Sequence, residues 1–213
     1  MSAKNVEHKF IVPNSVEVRD YQVNLANQAK NENCLIILPT GLGKTVVALH
    51  VIADYLAKGN GGVLFLAPTK VLVNQHYEFL KNTLTIDDIG IITGEDLLTK
   101  RKKLWINSVI CATPETTRND IARKIVDTTQ FNLVIFDEAH RAVGDYAYVE
   151  IAKQLSGSNV RLLGMTATLP SEKEKAKEIC DNLHVRGLAE RNDSSPDVKP
   201  YIQETKTEWV TVD

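Results

Sequence analysis

The sequence predicts an α/β domain whose central sheet is mostly parallel and covered by helices on both faces. Three observations predict it. Apolar runs of strand length alternate with stretches of helical periodicity along most of the 213 residues. Each strand-like run is continuously apolar rather than alternating, as strands buried on both faces of a parallel sheet are. The residues with chemistry to offer, Thr40, Thr69, Thr93, Thr113, Asp137 and Thr166, all follow the ends of such runs. Ligands of open parallel sheets collect at the carboxyl ends of strands, so these six point to one active edge.

In order along the chain, residues 1–18 are polar with scattered apolar positions, and Pro13 argues against a helix through them. Arg19 to Lys30 predicts a helix, with Tyr21, Leu25, Ala26 and Ala29 at helical spacing. Leu35 to Leu38 is a buried strand, and the run after Gly43 is a buried helix. Gly59 to Gly62 is a turn into a second strand, Val63 to Ala67. Pro68–Thr69–Lys70 ends that strand, and Leu72, Val73, His76, Phe79 and Leu80 make one face of the next helix. Ile89 to Ile92 is a short strand closing at Thr93–Gly94, Asp96 to Trp105 is helical, and Ser108 to Ala112 is a strand cut by Thr113–Pro114. Phe131 to Phe136 runs straight into Asp137, and Arg161 to Met165 is the last clear strand. Ser171 with Glu174 predicts a capping box, opening a helix whose buried stripe is Ala176, Ile179, Cys180 and Leu183. There is no internal repeat. Beyond Glu190 the chain turns polar and reads as a linker.

Composition narrows the classes. Hydrophobic residues at 43% and charged residues at 24% are the proportions of an ordinary soluble globular protein. No apolar run has the length of a membrane span, and the first ten residues, MSAKNVEHKF, lack the apolar core of a signal peptide. The expectation is a cytoplasmic, nucleoid-associated protein without a membrane partner. A formal net charge of −2 gives no general attraction for nucleic acid, so a nucleic-acid partner requires a local patch. The one basic run, Lys100 to Lys103, reads as a solvated helix face. Cys34, Cys111 and Cys180 show no metal-ligand spacing and read as core packing.

Between the first strand and its helix, Pro39 to Thr45 spells PTGLGKT. Gly41 and Gly43 let the backbone approach an anion, so that successive N–H groups of Thr40, Gly41, Leu42 and Gly43 turn toward phosphate oxygens. The helix that follows aims its positive end at the same place. Lys44 supplies a point charge near the outer phosphates, and the Thr45 hydroxyl can ligate magnesium. The pattern G-x-x-x-x-G-K-[ST] is met except at its first glycine, where this chain has Leu38. Asp137–Glu138–Ala139–His140 follows an apolar strand directly. Asp137 suits a magnesium–nucleotide complex, and Glu138 suits orienting and deprotonating an attacking water. His140 next to that pair reads as a link between nucleotide state and the rest of the domain, and Thr166 and Thr168, flanking Ala167, suit a hydrogen-bonded hinge beside the acids.

PTGLGKT, DEAH and TAT, in this order and separation, resemble motifs I, II and III of superfamily 2 helicases, a family that commonly lacks the first glycine. The resemblance implies the RecA-like P-loop NTPase fold and ATP with magnesium as cofactors. Arg19, Tyr21 and Gln22 resemble the Q-motif that reads adenine. Ala67 to Lys70, Thr93–Gly94 and Thr113 to Thr116 resemble motifs Ia, TG and Ib, which in the family grip the sugar-phosphate backbone. The resemblance thus implies nucleic-acid contacts at Thr69, Lys70, Gly94, Thr113 and Pro114. Hydroxyls and backbone N–H groups after strand ends can bind phosphate without reading sequence.

DEAHRAVGDYAYVEI, CLIILPTGLGKT, APTKVLVNQH and SPDVKPY are similar to the Hef branch, which includes the Fanconi anaemia group M and Mph1-type helicases. That branch implies ATP-driven remodelling of forked or branched DNA at stalled replication forks. An RNA helicase of the Dicer or innate-immune branch is the alternative, and a nucleotide-binding module without motor function is a third reading. The expected organisation is a lead-in over 1–18, a first motor domain over 19–190 and a linker over 191–213 toward a second RecA-like domain. Only 45 residues follow Thr168, too few for that second domain, and nothing resembles the XPF-type nuclease of archaeal Hef. The chain alone is therefore expected to have little ATPase activity.

Overall fold

The computed structural model describes residues 4–202 apart from 60 and 158. The strands are β1 (Cys34–Ile37), β2 (Gly62–Leu66), β3 (Ile89–Ile92), β4 (Val109–Ala112), β5 (Phe131–Asp137), β6 (Arg161–Thr166) and β7 (Gly187–Glu190). They form one sheet in the order β3-β4-β2-β5-β6-β1-β7, and every pairing is parallel. The helices are α1 (Asp20–Asn31), α2 (Lys44–Lys58), α3 (Lys70–Thr83), α4 (Leu98–Leu104), α5 (Pro114–Ala122), α6 (Ala147–Leu155) and α7 (Lys173–Asn182).

Continuous apolar runs are explained by two cores, one on each face. Cys34 and Ile36, Val63 and Phe65, Leu133 and Ile135 point to the face covered by α1, α2 and α3. Leu35 and Ile37, Leu64 and Leu66, Val134 and Phe136 point to the other face, against Trp105, α6 and α7. Successive residues of a strand face opposite ways, so a strand covered on both sides must be apolar throughout. The cysteines belong to this packing: Cys34 and Cys111 are buried, and burial pushes the Cys34 thiol up to about 12.

Four details depart from the sequence reading. The capping box of Ser171 with Glu174 does not form; α7 begins at Lys173 after Glu172, whose side chain makes no cap bond. Within the predicted stripe of that helix and its end, Ile179 and Leu183 are fully buried, while Ala176 and Cys180 are only partly so. Strand β7, helix α5 and helix α6 were not assigned by periodicity. The basic run is a solvated face except at Arg101. Its guanidinium donates to both carboxylate oxygens of the fully buried Asp120, each at 2.9 Å, and to the Asp96 carbonyl at 2.7 Å.

The ends of the described chain lie on the same body. Ile11 bridges to Leu84, and Val6, Ile11 and Val16 are buried. Val198 is fully buried, and the Tyr201 ring meets Tyr21 edge-on at 5.6 Å. Of the predicted linker, residues 203–213 lie outside the described residues.

Asp120 also accepts from the Trp105 indole at 2.9 Å, so one buried carboxylate joins α4 to α5. Replacing it leaves a partly buried guanidinium and a buried indole N–H without their shared acceptor, a loss of about 1–3 kcal/mol. Urea denaturation of Asp120→Ala should show a stability drop of that order; a drop of less than about 1 kcal/mol would contradict the network as described.

Candidate nucleotide and nucleic-acid edge

Because every strand is parallel, the loops after β1 to β6 emerge at one edge. The strand order sorts them into two halves. The loops after β1, β6 and β5 are neighbours, and those after β2, β4 and β3 lie beside them. The sequence-predicted nucleotide residues fall in the first half and the predicted nucleic-acid residues in the second.

After β1 the loop is shaped by two glycines in left-handed conformations, Gly41 at φ +88° and Gly43 at φ +80°. Leu42 N–H donates to the Pro39 carbonyl at 3.3 Å. The N–H groups of Thr40, Gly41, Gly43, Lys44 and Thr45 have no acceptor among the described residues. These donors surround the first turn of α2, where the helix dipole adds positive potential. Lys44 Nζ donates to the Leu38 carbonyl at 3.3 Å, folded back over the loop. Helix α1 fixes the loop from behind: Tyr21 hydroxyl and Gln22 Nε2 both donate to the Leu42 carbonyl, at 2.8 and 3.0 Å. Gln22 is 2% exposed, and its Oε1 is buried without a partner. Arg19 donates to the Tyr21 hydroxyl at 3.4 Å, and its guanidinium lies 5.5 Å from the Tyr201 ring centroid.

Two strand spacings away, about 10 Å, β5 delivers Asp137, which is 4% exposed. Its Oδ2 lies 2.7 Å from His76 Nε2, and its carbonyl accepts from the Tyr148 hydroxyl at 2.7 Å. Burial holds the Tyr148 phenol well above its ordinary range, so it keeps the proton it donates. Glu138 sits at φ +50°, ψ +47°, a left-handed conformation unusual for a residue with a Cβ. Such strain concentrates where surroundings over-determine a side chain's position. Its Oε2 is 3.3 Å from His140 Nδ1. His140 Nδ1 is also 3.0 Å from Thr166 Oγ1, and that hydroxyl donates to the Thr168 carbonyl at 2.8 Å. A hydroxyl has one proton, so Thr166 accepts from His140, which places the imidazole proton on Nδ1. Thr168 enters this chain through its backbone rather than its hydroxyl.

On the other half, Thr69 caps α3, its hydroxyl accepting from Leu72 N–H at 3.2 Å. Lys70 is half exposed and ion-paired with Glu95. Gly94 is open, its nearest neighbour to a notional Cβ being Thr116 Oγ1 at 3.5 Å. Thr113 precedes α5 and donates to Thr116 Oγ1 at 2.9 Å. Pro114 is buried at the first position of α5, so it contributes the start of that helix rather than exposed surface. Sequence reasoning missed the contacts of His76 and Tyr148: a histidine within an otherwise apolar helix face was the available signal for the first.

The family model described as type III restriction enzyme, res subunit, matches residues 15–171. The chain belongs to this helicase family, on its Hef, Fanconi anaemia group M and Mph1 branch. A Methanocaldococcus jannaschii protein, provisionally named an ATP-dependent RNA helicase, is 41% identical over 98% of this chain and 27% of its own length. The ATP-dependent DNA helicase fml1 of Schizosaccharomyces pombe is 35% identical over 99% of this chain and 26% of its own length. The crystal structure of the Pyrococcus furiosus Hef helicase domain matches with a TM-score of 0.86 and 42% identity, covering 91% of this chain and 42% of that one. The fold is the RecA-like fold of helicases. The chain spans about a quarter of the length of these curated relatives.

The shape of the loop over 39–45 depends on Gly43. A Cβ there would lie 2.4 Å from Gln22 Nε2, whereas one at Gly41 meets nothing within 4 Å. Both positions carry the left-handed penalty of about 1–2 kcal/mol. Thermal melts should therefore show Gly43→Ala to be more destabilising than Gly41→Ala. Equal losses would contradict the Gln22 contact.

Proposed function

We propose that this edge binds ATP with magnesium and grips one nucleic-acid strand, as the first motor domain of a longer DNA helicase or translocase. The observation that carries the nucleotide reading is the set of five unpaired loop N–H groups beside Lys44, in the same half of the edge as Asp137. In this reading the free N–H groups of Thr40, Gly41 and Gly43 cradle phosphates while Leu42, its N–H bonded to Pro39, shapes the loop. Lys44 neutralises the outer phosphates, and Thr45 and Asp137 hold the magnesium ion. Magnesium in such sites takes one or two protein ligands besides phosphates and water, which fits a hydroxyl and a carboxylate. When bound, the ion supplies charge stabilisation to the transferred phosphoryl group. Glu138 orients and deprotonates the attacking water. Gln22 fits adenine because its orphaned Oε1 can accept from the exocyclic amine, with Arg19 at the rim. His140, Thr166 and Thr168 carry the state of the nucleotide away from Glu138 through their hydrogen-bond chain.

Thr69, Lys70 and Gly94, with the Thr113–Pro114 start of α5, form the strand-binding half. Their hydroxyls, charge and backbone suit phosphate contacts, so binding is sequence-independent and weakened by salt. DNA is favoured over RNA by relatives named as ATP-dependent DNA helicases, fml1 and the MPH1 proteins of several yeasts. The M. jannaschii name supports the RNA reading. Forked or branched DNA is the substrate we favour, and the nucleoid the place of work. Residues 19–190 form the motor domain, 1–18 its lead-in, and 191–213 the passage to a second RecA-like domain. Arginines of that second domain contribute roughly 10³–10⁵ in rate where such residues have been tested, so the chain alone turns ATP over slowly.

Isothermal calorimetry of Lys44→Ala tests the assignment. The variant should lose about 1.5–3 kcal/mol of ATP binding, the worth of a charge-assisted contact. Equal affinity in wild type and variant would overturn it.

A further inference from the structure

We propose that His76 is a positioning residue for Asp137, fixing the carboxylate so that one oxygen faces the histidine and the other the bound cation. The proposal rests on the reading of Asp137 as a magnesium ligand.

The fold brings the pair together across 61 positions of sequence. Strand β2 lies beside β5 in the sheet, and only three residues separate the end of β2 from the start of α3. His76 stands two turns into α3 on its buried face, which carries it over the end of β5. The imidazole lies against the Phe65 ring, centroids 4.4 Å apart, and is 7% exposed. Its Nε2 meets Asp137 Oδ2 at 2.7 Å. A carboxylate oxygen at that distance only accepts, so Nε2 carries the proton in either charge state of the ring. Oδ1 has no hydrogen-bond partner among the described residues.

Asp137 is also held from the opposite face of the sheet. Tyr148, on α6 and fully buried, reaches the Asp137 carbonyl at 2.7 Å and the Leu66 carbonyl at 3.2 Å. The hydroxyl's one proton goes to the nearer carbonyl, so the main chain of Asp137 is tied to α6 from one side, and its side chain to α3 from the other. Filling the core does not call for an imidazole, whose buried N–H costs free energy unless it is bonded. Val73 and Leu80, its neighbours on the buried face, are apolar and fully buried, and an apolar side chain would fill the same space. Partners that orient a metal-ligating carboxylate characteristically contribute 10–100-fold to metal affinity.

The test separates a role in orienting Asp137 from a role in packing. ATP affinity of the 213-residue chain is measured with magnesium and with EDTA in wild type, His76→Leu, His76→Met and His76→Gln. Two apolar replacements are included so that a folding failure of one leaves the other to decide, with thermal melts as the check. The enhancement of affinity by magnesium should fall about tenfold or more in the Leu and Met variants. Affinity in EDTA should change less than about twofold, and Gln, whose amide can donate in place of Nε2, should recover most of the enhancement. Full enhancement in Leu or Met would overturn the proposal, as would equal losses with magnesium and with EDTA. A wild-type chain showing no magnesium enhancement would instead overturn the role of Asp137 as a ligand, and the proposal with it.

Discussion

Parallel pairing of all seven strands is the constraint on which the rest of this structure depends. Parallel neighbours cannot be joined by a tight turn, so each connection must cross over the sheet, through a helix in most cases here. That requirement covers both faces, makes every interior strand apolar throughout, and returns every strand in the same direction. It also leaves every strand end, and most of the helix starts that follow, at one edge. Strand order then does what sequence order does not. The chain visits β1, β2, β3, β4, β5 and β6 in turn, but the sheet places β1, β6 and β5 together and β2, β4 and β3 together. Residues that alternate along the chain between two kinds of chemistry become two separate halves of one surface.

Three departures from ordinary packing lie at that edge, although left-handed residues also occur at Asn14, Lys124 and His184, and His50 Nε2 is buried without a partner in α2. Glu138 holds a left-handed backbone conformation despite its side chain, and Gln22 buries an unpartnered oxygen. His76 and Asp137 bury a polar pair between an apolar helix face and a strand end. Each of these costs free energy in a domain whose net stability is a small difference of large terms. They are what a core optimised only for folding would avoid, and they lie beside the loops that carry PTGLGKT and DEAH. The Asp120 network is the contrast: a buried carboxylate with all its bonds made within the protein, joining α4 to α5 beneath the loops of Thr93–Gly94 and Thr113–Pro114.

Much of this was legible in the sequence, for a physical reason. Strands β1 to β6 are apolar on both faces, so they stand out as runs against their polar connections. Strand β7 does not, because only Ala189 of its four residues is buried and Leu188 is exposed, breaking the run. Helix α5 gave no periodic signal since its buried positions are Pro114, Thr116, Thr117 and Asp120, polar or helix-starting residues rather than an apolar stripe. The capping box failed because α7 starts at Lys173, putting Ser171 and Glu174 out of register with the helix start. The motif loops could be named from their residues alone. The order of strands could not, and so neither the two halves of the edge nor the meeting of His76 with Asp137 was accessible before the fold.

The central claim is that one edge carries two spatially distinct binding halves. Hydrogen–deuterium exchange of the chain with a magnesium–ATP analogue, and separately with a single-stranded oligonucleotide, measures it most directly. The nucleotide should protect the start of α1, the loop over 39–45 and the end of β5. The oligonucleotide should protect the starts of α3 and α5 and the loop after β3. Coincident protection patterns, or nucleotide protection at the opposite edge around Asn33 and Arg186, would contradict the account.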